Sequence, residues 1–411
     1  MTPRVRGVVV IAPMVVLLPV IIVRLPANTA PVDLVNLLFL SLHWSWLLAR
    51  GVPIALPLVT PLWLIVIGSV TGMWSAPSLT WSVLTTCRGL YLYAWFVTLT
   101  DFLARSRCVV SAIRVWVVVA VALGAAGAAD RFGGLAQGIL LESAARAQGT
   151  FENPNMFGNY LVVSFFLAWA AAAAGWWRLY LTLPILAGGV VATGSNGALL
   201  SLTTGSGLTL LIRPGRWRRV RLGGAVAVVG IVLAVVGPWH TTVAAVAAKV
   251  FSRDRGELGG AVLKGYAERA IIWSEALDTL GRHPAGSGPG SFELVSGDVS
   301  GTYNSAHNDY LGMLVERGPI GLLGWCGVLA AVALLVDRLR RAGPAAPLAW
   351  APLAGLVAAT AAHAMVVELF HFRHVWFAFA LLAAAVPSRS ERALPAVKLV
   401  PRRRGFAKVA A

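Results

Sequence analysis

The sequence predicts an all-α polytopic membrane protein with about twelve membrane-spanning helices and one large extracytoplasmic loop that carries short helices. Of its 411 residues, 58% are hydrophobic and only 12% are charged, whereas about a quarter of a soluble protein is charged. Apolar runs of roughly 17–23 residues recur along the chain, the length that crosses about 30 Å of hydrocarbon. A β-barrel is excluded, because its strands are short segments of alternating polarity.

The apolar runs define the predicted spans. They cover approximately residues 7–24, 33–49, 55–72, 81–103, 108–128, 156–174, 178–194, 196–212, 222–238, 319–336, 346–367 and 374–387. The pair within 178–212 could be one long helix, but TGSNG at 193–197 has the composition of a turn, which favours two. The predicted parts of the chain are therefore a first bundle at 1–238, a loop at 239–318, a second bundle at 319–387 and a basic tail at 388–411.

The basic residues predict the orientation, because Lys and Arg are enriched in cytoplasmic segments. With the N-terminus inside, the runs RPGRWRRVR at 213–221 and PRRRG at 401–405 both fall in the cytoplasm. We expect a multi-pass protein of the bacterial inner membrane with both termini cytoplasmic and the loop outside. The net charge of +17 then mostly reflects topology. Its scattered patches suit anionic membrane lipids rather than a nucleic acid.

The large loop contains a predicted helix and a glycine-rich turn. GYAERAIIWSEALDTLG at 265–281 places Arg269 and Trp273 on one helical stripe. AGSGPGSF at 285–292 follows it. Such a turn can present N–H groups to a phosphate, or it can simply connect the helix to the rest of the loop.

Polar residues also precede the tenth predicted span, in SAHNDYLGMLVERGPIGLLGW at 305–325. We expect a helix from Asn304 onward with His307 on an otherwise apolar face. A neutral imidazole is the side chain best suited to take a hydroxyl proton near neutral pH, so His307 is a candidate base, although a lone histidine can also be structural. Asn308 could orient a partner or donate a hydrogen bond to a sugar oxygen.

Glu316 and Arg317 end this helix before Gly318. They could pair with each other, cap the helix or bind substrate. In HAMVVELFHFRHVW at 363–376, three histidines and a glutamate invite a zinc hypothesis, but their setting between Phe and Trp is more typical of a membrane-interface belt. We expect no metal and no cofactor.

Four elements of the chain resemble, in order, the O-antigen ligase and polymerase superfamily. They are GTFENPNMFGNYL at 149–161, TGSNGALLSL at 193–202, RAIIWSEALDTLGRHPAGSGPGSF at 269–292 and HNDYLGMLVERGPIGLLGW at 307–325. Each element alone is weak, whereas the ordered combination with one large loop before the tenth span is specific. The resemblance extends over roughly residues 80–380.

The resemblance implies a metal-independent membrane glycosyltransferase of the GT-C type. Such enzymes move a glycan from an undecaprenyl-diphosphate donor to an acceptor hydroxyl on a glycan, lipid or protein at the outer face. His307 and Asn308 would be catalytic. Arg269 and Arg317 would bind the diphosphate, where arginines stabilise the charge of the leaving group. The loop elements add Trp273 and Glu316 as candidate substrate-binding residues.

One position departs from the family pattern. The Ser-Arg-Gly element of the family normally supplies a phosphate-binding arginine, but this chain has Asn196 there. Asn196 can donate a hydrogen bond but carries no charge. Either another cation compensates, with Lys264, Arg146 and Arg88 as candidates, or the donor site differs.

Two other functions remain open from the sequence. A transporter or flippase of polyprenyl-linked glycans would explain many spans and intramembrane arginines, but not the long loop with its His-Asn pair. A catalytically degenerate family member, acting as sensor or scaffold, is consistent with Asn196. Ligase and polymerase activities differ mainly in the acceptor, and the sequence does not separate them.

Overall fold

The computed structural model describes residues 3–21, 30–133, 141–142, 146–151, 153–213, 260–295 and 305–387. The α-helices in these ranges are α1 (Pro3–Leu17), α2 (Pro31–Arg50), α3 (Val59–Met73), α4 (Leu79–Ser106), α5 (Val109–Gly133), α6 (Pro154–Ala173), α7 (Leu183–Ala192), α8 (Asn196–Ile212), α9 (Gly260–Arg282), α10 (Phe292–Val295), α11 (Asp309–Ala342), α12 (Trp350–His363) and α13 (Arg373–Ala385). Short 3₁₀ turns occupy Trp177–Thr182 and Gly343–Ala345. The sequence did not predict the small antiparallel ladder of β1 (Leu141–Glu142) and β2 (Arg146–Ala147).

Within the described ranges, four helices are long and apolar enough to cross a membrane. They are Pro31–Arg50, Val109–Gly133, Pro154–Ala173 and Asp309–Ala345. Shorter apolar helices lie at Val5–Leu17, Val59–Met73, Trp177–Ala192, Asn196–Ile212 and Arg373–Ala385. The all-α class is thus confirmed, whereas the number of twelve spans stays a prediction. The predicted span at 222–238 and the tail at 388–411 lie outside the described residues.

The described helices of the bundle run alternately toward and away from one end, here called the loop end because α9 and the glycine-rich turn pack there. The N-termini of α2, α4, α6, α8, α11 and α13 lie at this end, as do the C-termini of α1, α3, α5, α7 and α12. Two contacts show which parts of the chain meet at this end. The indole N–H of Trp81, near the start of α4, donates to the Gly290 carbonyl of the glycine-rich turn (3.0 Å). Thr150, just before α6, donates to the Pro19 carbonyl after α1 (2.8 Å).

The sequence prediction was wrong about the start of α11. We expected a helix from Asn304, but in the described residues it begins at Asp309. The physical reason is the side chain of Asn308, whose Oδ1 accepts a hydrogen bond from the Leu311 N–H (3.1 Å). This N-cap satisfies a backbone donor that has no partner inside the helix, so the helix starts after Asn308.

Two of the predicted breaks in the chain are confirmed. Residues 193–195 separate α7 from α8, with Ser195 as the N-cap of α8. Gly318 has φ 63° and ψ −173° and therefore kinks α11 at the point where the sequence places Gly318-Pro319. A glycine is needed here, because a side chain at this backbone conformation would also meet the Ala285 carbonyl.

Glycines allow α3 and α11 to pack with their backbones in close contact. A Cβ on Gly68 would lie 2.5 Å from the Arg317 carbonyl oxygen and 2.6 Å from the Gly321 nitrogen. Small residues at helix contacts are typical of membrane bundles, where association depends on close van der Waals packing. The contact matters for the site, since it fixes the part of α11 that carries Glu316 and Arg317.

We expect Gly68→Ala to destabilise the folded protein by about 1–3 kcal/mol, the usual cost of inserting a methyl group into a packed contact. The measurement is thermal or denaturant unfolding of the purified protein in detergent. Gly188→Ala on α7 is the matched control, since a Cβ there meets no atom within 4 Å. Equal stability of the two variants would show that the α3–α11 contact can relax.

Candidate functional site

His307 lies in a strained turn directly before α11. Its φ is 47°, in the left-handed region that non-glycine residues rarely adopt. Such a conformation costs on the order of 1–3 kcal/mol and persists only when its surroundings enforce it. The surrounding contacts must therefore hold the backbone at His307 in this conformation.

Contacts on both sides of His307 enforce this turn. The indole N–H of Trp273 on α9 donates to the Ala306 carbonyl (3.1 Å). The backbone N–H of Asp309 donates to the Ala364 carbonyl at the end of α12 (2.8 Å). The Trp273 side chain and the Asp309 backbone N–H thus hold the backbone on either side of the histidine.

The loop helix α9 is fixed on α11 by an apolar contact. Buried Ile272 and Ala276 pack with Ala306 and Val315 in a small cluster. The stripe predicted from the sequence is therefore the packing face of α9. It brings Arg269, on the same helix, into the neighbourhood of the histidine turn.

Burial and a nearby cation favour the neutral form of His307. Burial lowers the pKa of His307 below its usual value of 6.5, and the Arg269 guanidinium lowers it further. Both effects disfavour the imidazolium form. A neutral imidazole with an available lone pair is the form that a general base requires.

Arg146 of β2 lies beside the turn that contains Asn196. Its Nε donates to the Thr193 carbonyl (3.0 Å), and its Nη2 donates to Oδ1 of Asn155 (3.0 Å). The Ser195 hydroxyl donates to the same Asn155 oxygen (2.8 Å). Asn196 itself is exposed at the first position of α8. Of the two candidate compensating cations whose side chains the structure describes, Arg146 and Arg88, Arg146 is the one at this turn.

The sequence analysis missed a buried polar chain next to this turn. Asn159 of α6 bonds with its Nδ2 to Nδ1 of His363 (2.7 Å) and with its Oδ1 to Nε2 of His374 (2.8 Å). Because the amide N–H₂ must donate and the amide oxygen must accept, the His363 Nδ1 is unprotonated and the His374 Nε2 carries a proton. A Cβ on Gly197 would lie 3.0 Å from Nε2 of His363, so this chain lies against the start of α8.

Glu316 and Arg317 form an ion pair that joins α11 to the glycine-rich turn and to α3. Arg317 is only 3% exposed; its Nη1 donates to Glu316 (3.0 Å) and its Nε to the Ser69 hydroxyl (3.2 Å). The Glu316 carboxylate also accepts from the backbone N–H groups of Gly290 and Phe292. Two of the N–H groups that a phosphate could use in this turn are thus bonded to Glu316, which favours the interpretation of a connecting turn.

A small, open crevice lies between α3 and α4, with Arg317 and Phe370 among its lining residues. The Arg317 guanidinium lies 5.7 Å from the centre of the Phe370 ring. Leu62 and Leu90 contribute apolar walls. The crevice therefore combines apolar sides with one buried cation.

Arg88, another predicted residue, is more distant from His307 in the network of contacts of the described residues. Arg88 of α4 is exposed, lies 5.3 Å above the Trp81 ring, and interacts electrostatically with Glu293 of α10. Lys264 lies on α9, but its side chain is outside the described part of the structure. In the described ranges, no group of three His, Cys, Asp or Glu side chains is placed to hold a metal ion.

The fold and these turns define a helical membrane protein that gathers histidine and arginine side chains at one end of its bundle. The family model described as O-antigen ligase matches residues 181–326. The match includes the 193–197 turn, α9, the glycine-rich turn and the histidine turn, and it confirms the resemblance to the O-antigen ligase and polymerase superfamily. No curated protein matches the chain.

Proposed function

We propose that the protein is a membrane glycosyltransferase that moves a glycan from an undecaprenyl-diphosphate donor to an acceptor hydroxyl. The observation that carries this proposal is His307, held neutral in a strained turn next to Arg269, within the region that matches the O-antigen ligase family. A glycan acceptor would make the enzyme a polymerase, and a lipid or protein acceptor would make it a ligase. The basic-residue bias supports a site on the extracytoplasmic face of the inner membrane.

In the proposed reaction, Nε2 of His307 takes the proton of the acceptor hydroxyl. The acceptor oxygen forms a bond to the anomeric carbon of the donor sugar, while the bond from that carbon to the phosphate oxygen breaks. The leaving undecaprenyl diphosphate gains the negative charge. Arg269 would stabilise that charge, since preorganised cations act most strongly where charge develops in the transition state.

The cation that accompanies Asn196 in the proposed donor site is Arg146. Its guanidinium is positioned by the Thr193 carbonyl and by Asn155, so it enters the site without having to be ordered by the donor. The first turn of α8 offers backbone N–H donors to the same anion. Arg317 would bind the diphosphate from the crevice between α3 and α4. Its hydrogen bonds to Glu316 and Ser69 hold it in that position.

The proposal is tested by incubating the purified protein in lipid nanodiscs with an undecaprenyl-diphosphate-linked oligosaccharide. Longer lipid-linked glycans would identify a polymerase, and transfer to a second lipid or to a protein would identify a ligase. Absence of transfer to every acceptor class, together with movement of the lipid-linked glycan across proteoliposome membranes, would instead establish the transporter hypothesis. Absence of both activities would favour the degenerate family member.

We expect Arg146→Ala to weaken binding of the lipid-linked donor by roughly 1.5–3 kcal/mol, the scale of a hydrogen bond to a charged group. Arg146→Lys keeps the charge and should retain part of the affinity. Asn196→Arg in the Arg146→Ala protein should restore binding, because it returns a guanidinium to the same turn. Donor affinity that is unchanged in a folded Arg146→Ala protein would show that Arg146 only supports the 193–195 turn.

A further inference from the structure

His363, the last residue of α12, has a buried ring nitrogen without a hydrogen-bond partner. The side chain is completely buried. Its Nδ1 is bonded to Nδ2 of Asn159 (2.7 Å), whereas its Nε2 has no partner in the described part of the chain. Buried polar atoms are nearly always hydrogen-bonded, so an unpartnered one indicates a place for a ligand or an ordered water. The reaction proposed above does not use this residue.

The hydrogen bonds of Asn159 place a proton on this nitrogen. The Asn159 Oδ1 accepts from Nε2 of His374 (2.8 Å), and its amide Nδ2 donates to Nδ1 of His363. A neutral imidazole whose Nδ1 accepts has its one proton on Nε2. His363 therefore buries an N–H donor at this position, and the partner that it lacks is a hydrogen-bond acceptor.

The Nε2 edge of His363 faces the first turn of α8. A Cβ on Gly197 would lie 3.0 Å from Nε2 and 3.1 Å from Cδ2 of the ring. Gly197, the second residue of α8, is half-buried, and Asn196 before it is exposed, so this turn can be reached from outside. The missing side chain of Gly197 leaves the space through which an acceptor atom can approach the ring.

The first turn of α8 adds backbone donors at the same place. The Ser195 hydroxyl oxygen accepts from the Ala198 N–H (3.3 Å), and the Ser195 carbonyl accepts from the Leu199 N–H (3.0 Å). The N–H groups of Asn196 and Gly197 come before these bonds and have no partner inside the helix. They also form the positive end of the helix dipole.

The groups around this turn together favour an anion. The Arg146 guanidinium lies beside it, held by the Thr193 carbonyl (3.0 Å) and by Oδ1 of Asn155 (3.0 Å). An imidazole N–H, two backbone N–H groups and a guanidinium thus flank one turn from three different parts of the chain. All of them are donors, and phosphate oxygens commonly bind to such a set at a helix N-terminus.

A backbone contact links this turn to the histidine turn. The carbonyl of Ala364, the residue after His363, accepts from the Asp309 N–H (2.8 Å). Asp309 follows His307 by two residues. An anion bound at the start of α8 would therefore lie at the same end of the bundle as the proposed base.

We propose that His363 is a further donor-binding residue, whose Nε2–H donates a hydrogen bond to a phosphate oxygen of the lipid-linked diphosphate at the N-terminus of α8. This inference rests on the proposed function and adds to it a ligand that lies outside the matched region 181–326. Asn159 and His374 are positioning residues, because they fix the tautomer of His363. No covalent bond forms or breaks at His363 during the reaction.

The first test is equilibrium binding of undecaprenyl diphosphate to the full-length protein in lipid nanodiscs. Asparagine places an amide oxygen near the position of Nδ1, whereas glutamine places an amide nitrogen near the position of Nε2. His363→Asn should weaken binding by about 10–100-fold, the effect of losing a hydrogen bond to a charged group. His363→Gln should retain most of the affinity, because a donor remains. Wild-type affinity in folded His363→Asn would overturn the proposal, since the bond to Asn159 alone would then explain this histidine.

Two controls belong to this test. His43→Asn makes the same substitution in the half of α2 that is distant from the loop end, where His43 bonds to Asp101 (2.9 Å), and it should leave binding unchanged. Undecaprenol, which lacks the diphosphate, should bind equally to the wild-type protein and to His363→Asn. A loss of undecaprenol binding in His363→Asn equal to the loss of diphosphate binding would assign the effect to the prenyl chain and overturn the proposal.

The second test uses the wild-type protein and decides the case in which both variants lose binding or fail to fold. With ¹⁵N-labelled histidine, solid-state NMR shows which ring nitrogen carries the proton, and the ³¹P nuclei of bound undecaprenyl diphosphate dephase the signals of nearby nitrogens. The His363 ring, assigned through Ala362 and Ala364, should have a protonated Nε2 that is dephased. An unprotonated Nε2, or no dephasing with the lipid bound, would overturn the proposal and favour an ordered water at this position.

The two tests separate this inference from the proposed function. If undecaprenyl diphosphate dephases Nε2 of His363 but the wild-type protein transfers no glycan, the transferase proposal fails and the diphosphate site stands. If the wild-type protein transfers glycan while His363→Asn binds normally and Nε2 is not dephased, the role of His363 is wrong and the transferase proposal stands.

Discussion

Replacement of His307 by alanine is expected to lower the turnover of glycan transfer by roughly 10²–10⁴-fold, the usual contribution of a positioned general base. Donor binding should change little, because the imidazole faces the acceptor proton rather than the diphosphate. Turnover and donor affinity would be measured separately, by single-turnover transfer and by equilibrium binding of the lipid-linked donor. His307→Gln should be as inactive as the alanine variant, since an amide can hydrogen-bond the hydroxyl but cannot accept its proton.

The backbone at His307 requires a particular control. Because φ is 47° here, alanine and glutamine add strain that histidine and asparagine tolerate better. His307→Asn keeps the turn but removes the base, so it should be folded and inactive. Near-native transfer by either amide variant would show that His307 only orients the acceptor, and loss of folded protein in every variant would favour a structural role.

Replacement of Arg269 by alanine is expected to have two measurable effects. Donor binding should weaken by roughly 1.5–3 kcal/mol, or about 10–150-fold, through loss of a charge-assisted contact to the diphosphate. The acidic limb of the pH–rate profile should also move to higher pH. Arg269 lowers the pKa of His307, so its removal raises that pKa and the base becomes protonated at a higher pH.

The lysine variant separates the two effects. Arg269→Lys keeps a positive charge near His307, so the acidic limb should stay close to its original position, while the loss of the planar fork still weakens donor binding. Ser305, whose hydroxyl oxygen lies 3.5 Å from Nδ1 of His307, is the same in both variants. Unchanged donor affinity and an unchanged acidic limb in Arg269→Ala would return this arginine to a purely structural role.

The sequence predicted those features that depend on local composition. Apolar runs predicted helices long enough to span a bilayer, and Gly318-Pro319 predicted the break in α11. The turn composition of TGSNG at 193–197 predicted the separation of α7 from α8. In each case the residues that determine the feature are neighbours in the chain, so a short window of sequence is sufficient.

The start of α11 was equally local, yet the prediction placed it too early. Asn308 was considered for its chemistry, whereas asparagine before an apolar run is also a common N-cap. Had that signal been used, His307 would have been placed in the turn before the helix. The left-handed conformation of His307 still has no sequence signature of its own, since it is enforced by Trp273 and Asp309 from either side.

The parts of the candidate site that the sequence analysis missed join residues that are distant in the chain. Asp309 accepts from Leu369 and Phe370 only because the connection after α12 packs against the start of α11. Asn159 joins His363 to His374 only because the N-termini of α6 and α13 meet the C-terminus of α12 at the loop end. Tertiary packing determines such contacts, and one sequence contains no direct record of it.

The alternation of helix directions at the loop end has an electrostatic consequence. Each helix contributes about half a positive charge at its N-terminus and half a negative charge at its C-terminus. Among the described helices both kinds of terminus are interleaved at this end, so their macrodipoles largely cancel beyond the first turn of each helix. The bundle itself therefore has almost no field to attract an anionic headgroup from a distance. Attraction of such a group must come from the charges of the arginine side chains, and it should consequently weaken with rising ionic strength.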